Sequence, residues 1–279
     1  MFYHRAGFTI NTHNNDTKNW QIIQKNGDND DNMLHNAHKI LRNKRIVFIG
    51  DSLTRYQYLN FVHVIHKNSW TLSDYPSFEN EHQWQSWHLF HTGTSLRLGC
   101  QEICDCYRND TNFKTMRENR YYYDINLNLS ISLLFWTPPM LTRLSYLPTV
   151  TFLNSIEDSM RIVNNYDGAA PLRYDILNLL DQVIKPMQPD VLIVNQGFWT
   201  HKLIRDNVAF RNKFAAKLYR TAKYAVWKKT TTPCSDNPTD RDGTDFLDTF
   251  IKKGIHIYDT YKLTWSTQLK WCLLGPCAL

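Results

Sequence analysis

Hydrophobic positions in this chain come either in short unbroken runs or in stretches that repeat every three or four residues. Ile46 to Ile49, led in by Lys44 and Arg45, has the length and bounding of a buried strand. Gly50-Asp51-Ser52 follows as a tight turn. From Ser52 onward Leu53, Tyr56, Leu59, Val62 (or Phe61) and Ile65 recur at helical spacing and predict a helix with one apolar face. A second run, Val191 to Val194, starts after Pro189-Asp190 and ends in Asn195-Gln196-Gly197.

Weaker patterns fill the intervals. Tyr121 to Trp136 alternates like strands, up to the breaker Pro138-Pro139. Leu172, Ile176, Leu180 and Val183 or Ile184 predict an amphipathic helix stopped by Pro186. Asp206 to Tyr224 predicts another, with Val208, Phe210, Phe214, Ala215, Leu218 and Ala222 inward. Ala225 to Thr231 and Gly254 to Asp259 read as the last strands. Residues 1–37, dominated by Asn, Asp and His, form a polar lead-in that lies on the surface or is partly disordered, which leaves 38–279 as one domain. Short apolar strands alternating with amphipathic helices predict a doubly wound α/β fold with a mainly parallel sheet. Lys44 to Ile49 and Val191 to Val194 would be adjacent central strands.

Candidate chemistry collects at the ends of those two runs. A helix N-terminus offers unpaired N–H groups and a favourable dipole for developing negative charge, which is what a Ser52 nucleophile needs. Ser and Asp are also ordinary capping and turn residues. Position decides between the two, because ligand sites in open α/β sheets lie beyond the carboxyl ends of strands. Arg55, one turn further on, either holds an anionic or polyhydroxylated substrate or forms a structural ion pair. Asn195 is placed to offer a side-chain N–H to an oxyanion.

These blocks carry a resemblance. IVFIGDSLTR resembles the first block of the SGNH (GDSL-type) hydrolases, and Gly-Asp-Ser-x-x-Arg before an aromatic-rich helix is similar to the trichome-birefringence-like and PC-esterase branch. The later strand ending in Asn-x-Gly resembles the oxyanion asparagine block of the same superfamily, and WKKTTTP is similar to a late tryptophan–threonine strand of PC-esterase-like domains. CDCYR followed by ENRY looks like patterning in animal and fungal relatives. The resemblance implies a three-layer α/β/α sandwich in which Ser52 is the nucleophile and Asn195 contributes to the oxyanion hole. It places Asp51, Arg55, Gly197 and Trp199 near the substrate and implies no cofactor. The hole would be completed by the serine N–H and a loop glycine, for which Gly93 and Gly99 are candidates. The implied activity is a serine acyl esterase or O-acetyltransferase acting on O-acylated glycans. A GDSL-type lipid or carboxyl esterase and a non-catalytic carbohydrate-binding pseudoenzyme are the alternatives.

One family block is missing. No histidine has an aspartate three positions before it, and none follows Asp259, so the Asp-x-x-His that supplies the general base is absent from this sequence. His201, just past the Asn195 turn, is the candidate substitute. His256 alternates with Ile255 and Ile257 and precedes its strand end. A serine without a base is a poor nucleophile, so the expectation is a chain that stops short of its catalytic block and turns over little.

Composition narrows the setting. With 279 residues and a 42% hydrophobic fraction, the chain can fill one domain core. A net charge of +6 without long basic runs gives no nucleic-acid footprint, and no run of about 18 apolar residues offers a membrane span. Sequons at Asn15, Asn109 and Asn128 with six cysteines point to the secretory lumen, such as the Golgi, or to secretion, with the targeting segment outside this sequence. Cys100, Cys104 and Cys106 read as disulfide cysteines, with Cys234, Cys272 and Cys277 as available partners; no second pair at zinc spacing accompanies them. The pairs His35/His38, His63/His66 and His88/His91 lack a third ligand and read as solvated or core residues. Trp84, Trp87 and Phe90 form either a sugar-stacking surface or core.

Overall fold

Strand β1 (Arg45–Gly50) is apolar throughout its centre because it is covered on both faces. Val47 and Ile49 point into one core cluster, and Ile46 and Phe48 into another on the opposite side of the sheet. A computed structural model describes residues 30–68, 86–108, 116–136, 141–144, 172–195, 202–229 and 247–259. Its main sheet has seven strands in the order β2 (Glu102–Tyr107), β3 (Arg117–Asp124), β4 (Leu129–Phe135), β1, β7 (Val191–Val194), β8 (Tyr224–Lys228) and β9 (His256–Tyr258). Strands β4, β1, β7, β8 and β9 run parallel, while β2, β3 and β4 pair antiparallel. A separate hairpin joins β5 (Leu141–Leu144) to β6 (Leu172–Asp175).

Helices cover both faces and make a three-layer α/β/α sandwich. On one face lie α1 (Asp30–Leu41), α2 (Ser52–Lys67) and α3 (Trp87–Leu96). The other carries α4, α5 (Lys202–Asp206), α6 (Val208–Thr221) and α7 (Leu247–Lys252). Helix α4 runs from Ile176–Leu179 through a π turn at Leu180–Ile184 into Lys185–Met187. The two strands read from sequence as central neighbours are so: Ile46 to Ile49 pair in register with Val191 to Val194.

Several boundaries differ from the sequence pattern. Helix α1 begins at Asp30 and buries Leu34, so folded structure starts inside the polar lead-in rather than at residue 38. Leu172 lies in β6 and is exposed; the helix starts only at Ile176, where Asp175 caps Leu177 and Asn178 N–H groups. Pro186 sits in its last turn, and Gln188 in the left-handed region ends it. Val208 is exposed at the start of α6, where Asn207 is the cap. The buried face of α2 is Thr54, Arg55, Tyr58, Leu59, Val62, His63 and Ile65, so Tyr58 rather than Tyr56 is enclosed. That rotation has a polar cause, taken up below. Cys104 pairs with Cys106, two residues away in β2, while Cys234, Cys272 and Cys277 lie outside the described residues. No described helix is long and apolar enough to cross a membrane.

Candidate active site

Chain leaves β1 at Gly50 and turns at once into α2. Asp51 is extended, and its carboxylate accepts the Leu53 N–H at 3.1 Å. Asp51 is therefore the helix cap and Ser52 the first helical residue, half-buried at the positive end of a helix of 16 residues. Thr54, in the first turn, folds back over the end of the strand. A Cβ on Gly50 would stand 2.6 Å from the Thr54 Cβ and closer still to its Oγ1, so the turn tolerates only glycine there.

Neighbouring β7 ends at the same level. Asn195 N–H donates to the Ile49 carbonyl at 2.9 Å, which carries the ladder one residue past the strand. The Asn195 side chain, 1% exposed, is held from both sides: Thr54 Oγ1 donates to its Oδ1 at 3.3 Å, and its Nδ2 donates to the Lys228 carbonyl at 2.8 Å. These bonds tie β1, α2, β7 and β8 together around Ser52. They also fix the orientation of an amide that sequence alone placed only near a turn.

Lys228 is the residue that the sequence reading missed. It closes β8, is 2% exposed, and among the described residues its Nζ has no hydrogen-bond partner. Burial lowers its pKa to about 8, against an upward pull from Asp51. The available signal was a lysine closing the apolar strand Tyr224–Lys228, at the end of the sheet where β1 and β7 also end.

Arg55 resolves to the structural alternative. It is fully buried and donates to Glu118 at 3.0 Å. Arg120 bonds the other oxygen of Glu118 at 3.0 Å and Glu102 at 3.0 Å, and the Tyr58 hydroxyl donates to Glu102 at 2.9 Å. This network draws Arg55 and Tyr58 inward and sets the rotation of α2. Burial pushes Glu118 up, but Arg55 and Arg120 outweigh it and hold its pKa well below the usual range. Glu102 goes the other way, raised by burial despite Arg120. His91, 3.7 Å from Glu118, is lowered by burial with help from Arg120 and Arg55, so it favours the neutral ring.

Neither proposed oxyanion glycine occupies a loop at this site. Gly93 lies inside α3. Gly99 is two residues from Gln101, which bonds His66, and His66 stands about 21 Å along α2 from Ser52 at 1.5 Å per residue. Phe90 is core, and Trp87 is covered by the Arg108 guanidinium at 3.6 Å. Trp84, Gly197, Trp199 and His201 lie outside the described residues. Comparison with protein-family models gives no match, and comparison with curated proteins gives none either.

Proposed function

We propose that the chain is a serine acyl esterase or O-acyltransferase, with O-acylated glycans as its substrate class. The observation that supports this reading is the junction of two adjacent parallel strands, where Ser52 opens α2 after β1 and Asn195, just past β7, is held by Thr54 and the Lys228 carbonyl. Ser52 Oγ attacks the ester carbonyl carbon, and the helix N-terminus together with the Asn195 amide stabilises the negative charge that develops on the carbonyl oxygen. Collapse releases the alcohol and leaves an acyl-serine, which water hydrolyses or an acceptor hydroxyl relieves of its acyl group. Support for a glycan ester comes from the sequence blocks around Ser52 and Trp227, which resemble the PC-esterase branch.

A fluorophosphonate probe tests the serine chemistry, and acetylated oligosaccharides offered beside lipid esters test the substrate class. Folded protein should label at Ser52, and Ser52→Ala should abolish labelling and lower deacetylation by at least about 10³-fold. Folded wild-type protein that never labels would overturn the enzyme reading. Turnover of lipid esters alone would move it to the lipid esterase alternative.

A further inference from the structure

We infer that the side-chain amine of Lys228 is the general base of the Ser52 site. The proposal rests on the serine acyl-transfer reading above. Its geometry comes from register. Ile49, Val194 and Trp227 stand level on β1, β7 and β8, and all three point into the core cluster under α4 and α6. The next residues, Gly50, Asn195 and Lys228, therefore turn to the opposite face, the one covered by α2. Thr54 meets Asn195 on that face, which confirms the direction.

Neighbouring strands lie about 4.8 Å apart, so the β1 and β8 backbones are separated by about 10 Å. A four-carbon stem reaching from β8 and a serine side chain reaching back from the start of α2 can close that gap between them. Asp51, adjacent to Ser52, pulls the pKa of the lysine upward against the effect of burial. Among the described residues Nζ is buried without a hydrogen-bond partner, Ser52 Oγ included. His63 and His66 are about three or more turns along α2 and His91 is against Glu118, while His256 shares the face of Lys228 but stands level with Val226, two residues behind the strand end, with its ring 6.4 Å from Tyr224.

In the neutral form, the amine lone pair takes the Ser52 proton as the Oγ–carbon bond forms. The resulting ammonium returns that proton to the leaving alkoxide as the ester C–O bond breaks. In deacylation the amine takes a proton from water and gives it to Ser52 Oγ as the serine leaves. Burial makes the neutral form accessible near pH 8. Among the described residues, the titratable groups facing the lysine are Asp51 from the turn before α2, and Tyr258 and His256 from the same face of β9. Burial raises the Tyr258 pKa and keeps its hydroxyl neutral, while Lys229 turns away to Asp259 at 3.3 Å.

The test is the rate of fluorophosphonate labelling of the full chain across about pH 6 to 10, spanning the free histidine and lysine values. The wild-type rate should rise through about pH 8. Lys228→Met, and Lys228→Arg with its permanent charge, should each label at least about 100-fold more slowly and lose that rise. A wild-type rate that is flat across the range overturns the proposal without any variant. Lys228→Met labelling at the wild-type rate with the wild-type profile overturns it while leaving the serine reading intact. Absence of wild-type labelling fells both.

Discussion

Gly50 shows how little room the site has. The first turn of α2 presses Thr54 onto the backbone that ends β1, and the same hydroxyl holds Asn195. Gly50→Ala forces Thr54 away from both. We expect a loss of about 1–3 kcal/mol, the usual range for overpacking, seen as a lower urea midpoint at unchanged slope. Ser52 labelling should slow along with it, because Asn195 loses one of its two anchors. An unchanged midpoint and labelling rate would show that the turn can relax. Ser52, Asp51 and Asn195 were legible in sequence because turn and cap residues bordered strong apolar runs. Thr54 and Lys228 were not, since each acquires its role only when strands far apart in the chain come into register.

Helix α2 does two jobs on two ends of its buried face. Its first turn builds the candidate site, and the following residues, Arg55 and Tyr58, dock into the charged cluster of β2 and β3. Removing one partner of a buried, paired charge strands the other. Glu118→Gln should therefore cost about 3–5 kcal/mol, read from chemical denaturation, well above the few tenths expected of a surface change. A cost below about 1 kcal/mol would mean that the network relaxes without it. Periodicity located α2 and most of its inward face, Leu59, Val62 and Ile65 being buried and Tyr56 packed against the same core, but it passed over the fully enclosed Tyr58. Charged residues count as outward in such patterns, and Arg55 is internal only because Glu118, 63 positions away, waits on the neighbouring strand. The adjacent parallel pair β1–β7 was legible because strands covered on both faces must be apolar throughout. The cap at Asp175 and the strand at Leu172 were not, because an apolar residue at helical spacing fits either element.

At the level of the whole molecule, the same buried charges shape stability against pH. Glu118 has a depressed folded pKa, so its contribution is present above about pH 4.3 and is lost as pH falls through the lower folded value. Glu102, raised by burial, gains on acidification instead, and that gain falls above about pH 4.3, before the Glu118 loss sets in. Lys228 acts at the alkaline side: below about pH 8 both states are protonated and its burial cost is fully felt. Between about pH 8 and 10.4 the unfolded chain binds more protons than the folded one, so stability rises with pH by up to about 3 kcal/mol. Thermal midpoints across this range should show that climb. Lys228→Met should remove the climb and raise the midpoint at neutral pH, an outcome opposite to that of Glu118→Gln. A midpoint that falls steadily through the window would contradict the buried amine.

The central place of β1 also bears on how the protein is made. Its partner β4 follows within the same half of the chain, but its other partner, β7, is separated from β4 by roughly 55 residues. At a synthesis rate of about 5–20 residues per second, that interval lasts roughly 3 to 11 seconds on the ribosome. Throughout it, the apolar segment Ile46–Ile49 can be paired on one side only. The strand that ends at the candidate nucleophile is thus also an open, sticky edge in the nascent chain, the kind of surface that chaperones shield.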